Sequence, residues 1–294
     1  MSTRPPEFGL FLIPEADNYR QLTELSAYAD GSGLDLIGIQ DHPYQRRFLD
    51  TWTLITALAA RTTRVSFFPD VANLPLRDPA ILAKSVASLD IVSDGRIHLG
   101  LGAGAFWDAV AGMGGPRRTG GEAVRALAEA IAVIRAMWSD ERSVRVPGVF
   151  YSLAGAHPGP RPRHRPGIWV GAKGPRMLEL TGRLADGWVP SAAWAPPELL
   201  AEAGRRIDDA AAAADRDPLE VRRVYNVSGT ITADGADHGF LEGPPERWVD
   251  DLLALHRDQR IDGFVFWPTD GEPVEQIRRY TEQVVPAVRA AAGA

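Results

Sequence analysis

The chain has 294 residues, 45% hydrophobic and 24% charged, with a formal net charge of −6 and no cysteine. That balance suits a globular chain with a large buried core; it argues against nucleic-acid or membrane-surface partners, which need a basic footprint, and the missing cysteine excludes disulfides, thiolate nucleophiles and cysteine-bound metals. No apolar run reaches the roughly 20 residues of a membrane helix, and residues 1–6 hold no apolar signal core, so a cytoplasmic location is expected.

Strand and helix signals alternate from end to end. Residues 8–13 read as a first strand, and residues 17–30 as a helix with Leu22, Leu25 and Tyr28/Ala29 on one face and Gly31 and Gly33 as its stop. Residues 35–40 read as a second strand, with Asp50 positioned to cap a helix carrying Trp52, Ile55, Leu58 and Ala59. A third strand over 65–68 leads through a loop to a helix opened by Pro79 and stopped by Gly95. Residues 97–101 form a fourth strand, residues 103–120 a long glycine-rich loop, and Val124, Leu127, Ile131, Ile134 and Trp138 one face of an amphipathic helix. Residues 144–146 and 149–151 around Pro147-Gly148 predict a small hairpin. Strands five to eight fall at 168–170, 188–189, 221–231 and 264–267, with helices over 196–214, 245–257 and 272–292, the last bent by Pro286.

Eight alternations over this length predict an α/β fold, a (β/α)8 TIM barrel, as a single domain over 1–294 with an insertion after strand four at about 103–166. A doubly wound open sheet fits the same pattern and is the alternative.

In a barrel, ligands bind where the strands end. The most informative such place is Gly171-Ala172-Lys173-Gly174-Pro175-Arg176, which follows an apolar strand and opens a helix. It aims free N–H groups and the positive end of a helix dipole at one point, a phosphate-binding arrangement. Gly171 and Gly174 allow close approach, and Pro175 suits the first helical position. Asp41-His42 follows strand two; the pair reads as an acid–base site or as a helix cap beside a packed imidazole. Gly100-x-Gly102-x-x-Ala105 imitates a dinucleotide fingerprint but lacks the helix and the acid that would follow. Trp107 and Trp194 line a ring pocket or cover the core. The run Arg161, Arg163, His164, Arg165, and likewise Arg117 and Arg118, is a solvated loop or a contact for an anionic tail. His157 and His164 do not have metal-ligand spacing, and no metal is expected.

These residues resemble the bacterial luciferase-like family of flavin and deazaflavin oxidoreductases. The resemblance is carried by Asp41-His42, by residues 73–79 (Asn-Leu-Pro-Leu-Arg-Asp-Pro), by Ser93-Asp94-Gly95-Arg96, by residues 100–104 and by Leu184-Ala185-Asp186-Gly187-Trp188, in that order along nearly the whole chain. It implies an enzyme that transfers a hydride between a bound cofactor and a small organic substrate. The loop Gly174-Pro175-Arg176 resembles that of members using coenzyme F420, with FMN and a monooxygenase reaction fed by a flavin reductase as the alternative. The resemblance further implies a non-proline cis peptide near Asp70-Val71. Asp41 and His42 would lie near the polar edge of the ring; Asp70, Val71 and Asn73 would support it; Ala103 and Gly104 would leave it room. Gly171, Ala172, Lys173, Gly174, Pro175, Arg176 and Ser191 would hold the phosphate. Some members place a carboxylate where this chain has Ala105, followed by Phe106 and Trp107; this points away from a sugar phosphate and toward a less polar substrate. A homodimer is also implied. Outside redox chemistry, an isomerase or lyase acting on a phosphorylated metabolite would use the same loop, and a non-catalytic flavin carrier would keep it.

Overall fold

The computed structural model describes residues 4–293, so the reading of residues 1–6 lies partly outside it. Eight parallel strands form the central sheet: β1 (Glu7–Leu12), β2 (Leu36–Ile39), β3 (Ser66–Pro69, resumed at Ala72–Asn73), β4 (Leu99–Gly102), β5 (Ile168–Gly171), β6 (Gly187–Trp188), β7 (Arg222–Ile231) and β8 (Gly263–Pro268). Each pairs with the next. β8 pairs back to β1, from Glu7 opposite Gly263 to Leu10 opposite Phe266. The cylinder is therefore closed, and the open sheet is excluded.

Helices return the chain from each strand end to the next: α1 (Tyr19–Ser32), α2 (Thr51–Ala59), α3 (Pro79–Val92), α4 (Gly120–Met137), α5 (Pro175–Leu184), α6 (Pro197–Ala212) and α7 (Pro245–Gln259). Their starts follow from local chemistry. Asp50 accepts the Thr53 N–H at 2.9 Å and Asp78 those of Ala80 and Ile81, while Thr119 and Glu122 make a reciprocal capping box before α4.

Buried parallel strands are covered on both faces, which is why β2 (Leu36, Ile37, Gly38, Ile39) is apolar throughout. Ile37, Leu101, Val170 and Phe264 share one buried cluster with the helix residues Ile55, Val86 and Ile131 and with Tyr280, the layer under the helices. Leu36, Phe68, Trp169, Val189, Val224 and Val265 fill the barrel interior.

The structure changes several expected boundaries. α1 runs through Gly31 and stops at Gly33, whose φ of +86° favours glycine. The loop over 103–120 contains a short helix, Trp107–Gly112. The hairpin's second strand is Leu153–Ala156, not 149–151, because the N–H groups of Val149, Phe150 and Tyr151 are taken by the Glu129 carboxylate at 2.7–3.1 Å. The final helix is split into Pro273–Arg279, a π turn Tyr280–Val284, and Val285–Ala292. Pro286 cannot donate to the carbonyl of Glu282, inside that π turn. The stretch 103–166 thus holds the barrel's own α4 together with two additions, the 103–119 loop and the hairpin. No helix among the described residues is long and apolar enough to cross a membrane.

Candidate active site at the carboxyl ends of the strands

The floor of the barrel mouth is built where β3 breaks. The Asp70–Val71 peptide is cis, and Val71 turns inward. A Cβ on Gly102 of β4 would come within 2.8 Å of Val71 Cγ2, and one on Gly171 of β5 within 3.0 Å. Only glycine fits at those two inward positions. Beside Val71, Asp70 Oδ1 accepts the Asn226 Nδ2–H at 3.1 Å across the barrel. Burial pushes the Asp70 carboxyl up to about 7, against the opposing effect of that one hydrogen bond. Asp70 Oδ2, Asn73 Oδ1 and Asn226 Oδ1 are buried and find no hydrogen-bond partner among the described residues. Buried polar oxygens are normally satisfied, so three unsatisfied ones at one mouth mark it as a candidate site for a polar ligand.

The β2 rim lies next to this floor. Asp41 is 1% exposed. Its Oδ2 accepts the Arg77 Nε–H at 2.8 Å and the Asn73 N–H at 2.9 Å, and its Oδ1 accepts from Arg77 Nη2 at 2.7 Å. Arg77 also reaches Asp50 at 2.8 Å. Both oxygens of Asp41 are therefore engaged in tying the β2 loop to β3. His42 stacks on Tyr44 at 5.3 Å and meets Phe106 edge-on at 5.6 Å. Burial lowers the His42 pKa, opposed by the Asp41 charge, and the imidazole is neutral at neutral pH. Burial, reinforced by Asp41, pushes the Tyr44 phenol up to about 12, and its hydroxyl has no partner among the described residues.

After β4, Ala103 is buried. A Cβ on Gly104 would sit 2.5 Å from Pro75 Cγ and 2.7 Å from Trp107 Cη2, and its φ is +109°. Trp107 therefore folds under this turn and packs on the outer core. Phe106 is 55% exposed and joins His42 and Tyr44. Of the two aromatics expected to face a substrate, only Phe106 is on the rim. Trp267, at the end of β8, stacks on the inward Phe11 at 5.2 Å.

The glycine loop is as its sequence implies. Gly174 caps α5, Pro175 is at its first position, and Lys173, Gly174, Pro175 and Arg176 are all exposed. Ala172 is buried, its carbonyl accepting from Trp188 Nε1 at 2.9 Å. Lys173 Nζ lies 5.3 Å from the centre of the exposed Trp194 ring. A Cβ on Gly121 would be 3.8 Å from Arg176 Nη1, so this guanidinium stands beside the start of α4. Neither cation has a carboxylate partner among the described residues, whereas most other arginines of the rim do. Ser191, after β6, bridges to Asn226 of β7, which connects the loop side of the mouth to the unsatisfied floor.

The basic run is elsewhere. Arg163 pairs with Asp94 at 2.7 Å, Arg165 with Asp186 at 3.3 Å and Arg161 with Asp140. Asp94 and Asp186 precede β4 and β6, so these cations lie at the opposite end of the barrel from the mouth. Arg117 pairs with Asp108, and Arg118 lies over the Phe150 and Tyr151 rings. No group of three or more potential metal ligands occurs among the described residues. Sequence reasoning missed Asn226, Tyr44, Arg77 and Phe11. Tyr44 and Phe11 had a local signal, at two residues from His42 and at an inward strand position; the other two act on partners far away in the chain.

Residues 4–238 match the family described as luciferase-like monooxygenase. The chain belongs to that family. Among relatives, it is 26% identical to the F420-dependent glucose-6-phosphate dehydrogenase of Microbacterium testaceum, over 98% of each chain. It is 33% identical to the 5,10-methylenetetrahydromethanopterin reductase of Methanolobus tindarius, over 78% of this chain and 67% of the relative. Two solved structures share the family's barrel. One is an F420-dependent secondary alcohol dehydrogenase (TM-score 0.86, 19% identity, 96% of this chain and 99% of the other). The second is a monooxygenase from Streptomyces bottropensis (TM-score 0.81, 20% identity, 95% and 99%).

Proposed function

We propose that this chain is an F420-dependent oxidoreductase, acting as a single barrel domain, that transfers a hydride between the deazaflavin and a small, weakly polar organic substrate. The carrying observation is the combination at one mouth of two cations beside a helix start, Lys173 and Arg176, with no carboxylate partner among the described residues, and three buried oxygens without a hydrogen-bond partner there, Asn73 Oδ1, Asn226 Oδ1 and the carboxyl Oδ2 of Asp70. A long ligand with an anionic end and a hydrogen-bond-donating ring system fits both. The inward glycines Gly102 and Gly171 make room for Val71, which would form the floor beneath the ring. Relatives named for F420 over nearly the whole chain support the choice of cofactor.

F420, when bound, supplies the ring carbon that exchanges a hydride with the substrate. The chain does the rest. Lys173, Arg176, Ser191 and the open N–H groups of the Gly171–Gly174 loop and of α5 would hold the phosphate; Asp70, Val71, Asn73, Ala103 and Gly104 would seat the ring. Asp41 keeps the rim rigid through Arg77 and Asn73. His42, neutral and packed between Tyr44 and Phe106, would take the hydroxyl proton of an alcohol as its C–H bond breaks, or return it in the opposite direction. The exposed Phe106, with Ala105 in place of an acid, favours an uncharged substrate over a sugar phosphate.

The family is described as luciferase-like monooxygenase, so FMN with a partner reductase is the second reading. A homodimer is part of the proposal. Thr53 and Thr56 of α2 and Ser85, Ser88 and Val92 of α3 line one uncharged outer groove, suited to a second copy. The reaction is tested by mixing enzyme and F420 with a panel of secondary alcohols and with glucose 6-phosphate, and following loss of the oxidised cofactor's absorbance. Reduction with an uncharged alcohol and none with glucose 6-phosphate is expected; the reverse would overturn the substrate assignment.

A further inference from the structure

We propose that Asp70 is a charge gate under the redox ring: neutral, it admits the negative charge that arrives with the hydride; ionised, it opposes that charge. This rests on the F420 reading above. Asp70 is 9% exposed and sits in the floor of the mouth, next to Val71. It is packed against three elements. A Cβ on Gly38 of β2 would meet its Oδ2 at 2.8 Å and Phe68 of β3 at 2.9 Å, and Asn226 of β7 bonds its Oδ1 at 3.1 Å. None of these neighbours is titratable.

The charged groups of the rim are directed elsewhere. On the β2 loop, Asp41 is held by Arg77 and Asn73, and His42 lies against Tyr44 and Phe106. After β3, Arg77 is shared between Asp41 and Asp50. On the β5 loop, Lys173 lies over Trp194 and Arg176 beside α4. Among the described residues one amide is all that bonds the Asp70 carboxyl, so its neutral form is favoured in the barrel. A buried acid with a free oxygen is not needed to fill the space, because an amide of the same shape would do so without the desolvation penalty. Its acidity is the property that remains to be explained.

Transfer from an alcohol supplies the answer. With F420 bound, the substrate C–H hydrogen would leave with both bonding electrons for the ring carbon, the hydroxyl proton would go to His42, and the alcohol would become a ketone. Once His42 releases that proton to solvent, the ring alone would hold one added negative charge. In a low-dielectric interior a carboxylate beneath it is strongly unfavourable, and a carboxylic acid is not. Asn226 acts against the neutral form, since its N–H stabilises the carboxylate.

The experiment measures binding of oxidised and reduced F420 separately, from about pH 6 to about pH 9, in the wild type, Asp70→Asn and Asn226→Ala. In the wild type the affinity for reduced F420, relative to oxidised, is expected to fall toward about tenfold per pH unit once Asp70 ionises. Asp70→Asn should remove that fall. Asn226→Ala should move its onset to higher pH. Infrared difference spectra of the cofactor-free protein near pH 6 should lose a protonated-carboxyl band in Asp70→Asn. Parallel affinity profiles in the wild type and Asp70→Asn, or no band lost, would overturn the gate while leaving the F420 reading intact. Failure of either form of F420 to bind at any pH would overturn the F420 reading and the gate with it.

Discussion

The two ends of the barrel treat polar groups in opposite ways. At the amino-terminal end, Asp30 accepts the N–H groups of Thr63, Arg64 and Val65 at 2.7–3.0 Å, and Arg96 reaches the carbonyls of Val65 and Ala59 at 2.9 and 2.8 Å. Arg223 pairs with Asp208 at 2.8 Å and Arg289 with Asp35 at 2.7 Å. At the carboxyl-terminal end, Asp70, Asn73, Asn226 and Tyr44 each keep a buried polar atom without a partner. Asp90 Oδ1, Arg222 Nε and Arg223 Nε at the amino-terminal end also lack partners among the described residues, but each side chain is anchored through its other atoms, by the His164 N–H, Glu7 and Asp208; that end is cross-tied, whereas the mouth is the candidate ligand site. Arg77 is the exception that makes the second possible: it fixes Asp41, and with it the rim, so that the neighbouring groups can stay unsatisfied without the loop collapsing onto them.

The largest expected effect separates these roles. Arg77→Met leaves Asp41 buried and unpaired and should cost about 3 kcal/mol or more in denaturant unfolding, with loss of cofactor affinity as well. Arg223→Met should cost a similar ~3 kcal/mol with cofactor affinity unchanged. Equal loss of affinity in both variants would break the division between the ends.

Asp70 and Asp30, one at each end, should also carry opposite pH signs. The Asp70 pKa is raised to about 7 by burial, so the fold loses stability as pH rises from about 4 to about 7. Asp70→Asn should be the more stable protein above that range, by up to ~4 kcal/mol, and indistinguishable below it. Burial would raise the Asp30 pKa, but its backbone hydrogen bonds dominate and hold it at about 2. Its contribution is present above the unfolded value and lost as pH falls to about 2. Asp30→Asn should therefore be less stable at neutral pH, with a gap that closes in acid. Melting temperatures across the pH range check both signs; a shared sign would contradict the contrast.

His42→Ala should lower turnover by about 10²-fold or more while F420 affinity stays within a factor of a few. If turnover is unchanged, the proton passes elsewhere. The smallest effects belong to the loop cations. Lys173→Ala and Arg176→Ala should each weaken F420 binding by about tenfold, with no change in melting temperature, since neither cation has a carboxylate partner in the fold.

Much of this contrast could be read locally. The eight alternations depend on near-neighbour periodicity, and the Gly171–Arg176 junction is contiguous, so both are visible in a short window. Asp50 announces its helix because a cap acts two or three residues away. What escaped depends on distance along the chain: Asp70 and Asn226 are 156 residues apart, and Asp41 and Arg77 are 36 apart. The hairpin shift has the same origin, since Glu129 holds backbone some twenty residues ahead of it. Asp41 was read with His42 as an acid–base pair, but its commitment to Arg77 was not legible, and on the proposed mechanism that commitment leaves the proton to His42.

The central claim is that this mouth holds a deazaflavin by its anionic end and its ring together. Parallel titrations of the purified protein with F420 and with FMN, followed by fluorescence, test it most directly. Saturable F420 binding at least tenfold tighter than FMN, weakened by Lys173→Ala and Arg176→Ala, is the predicted result. Tighter FMN binding, or no binding of either, would contradict it.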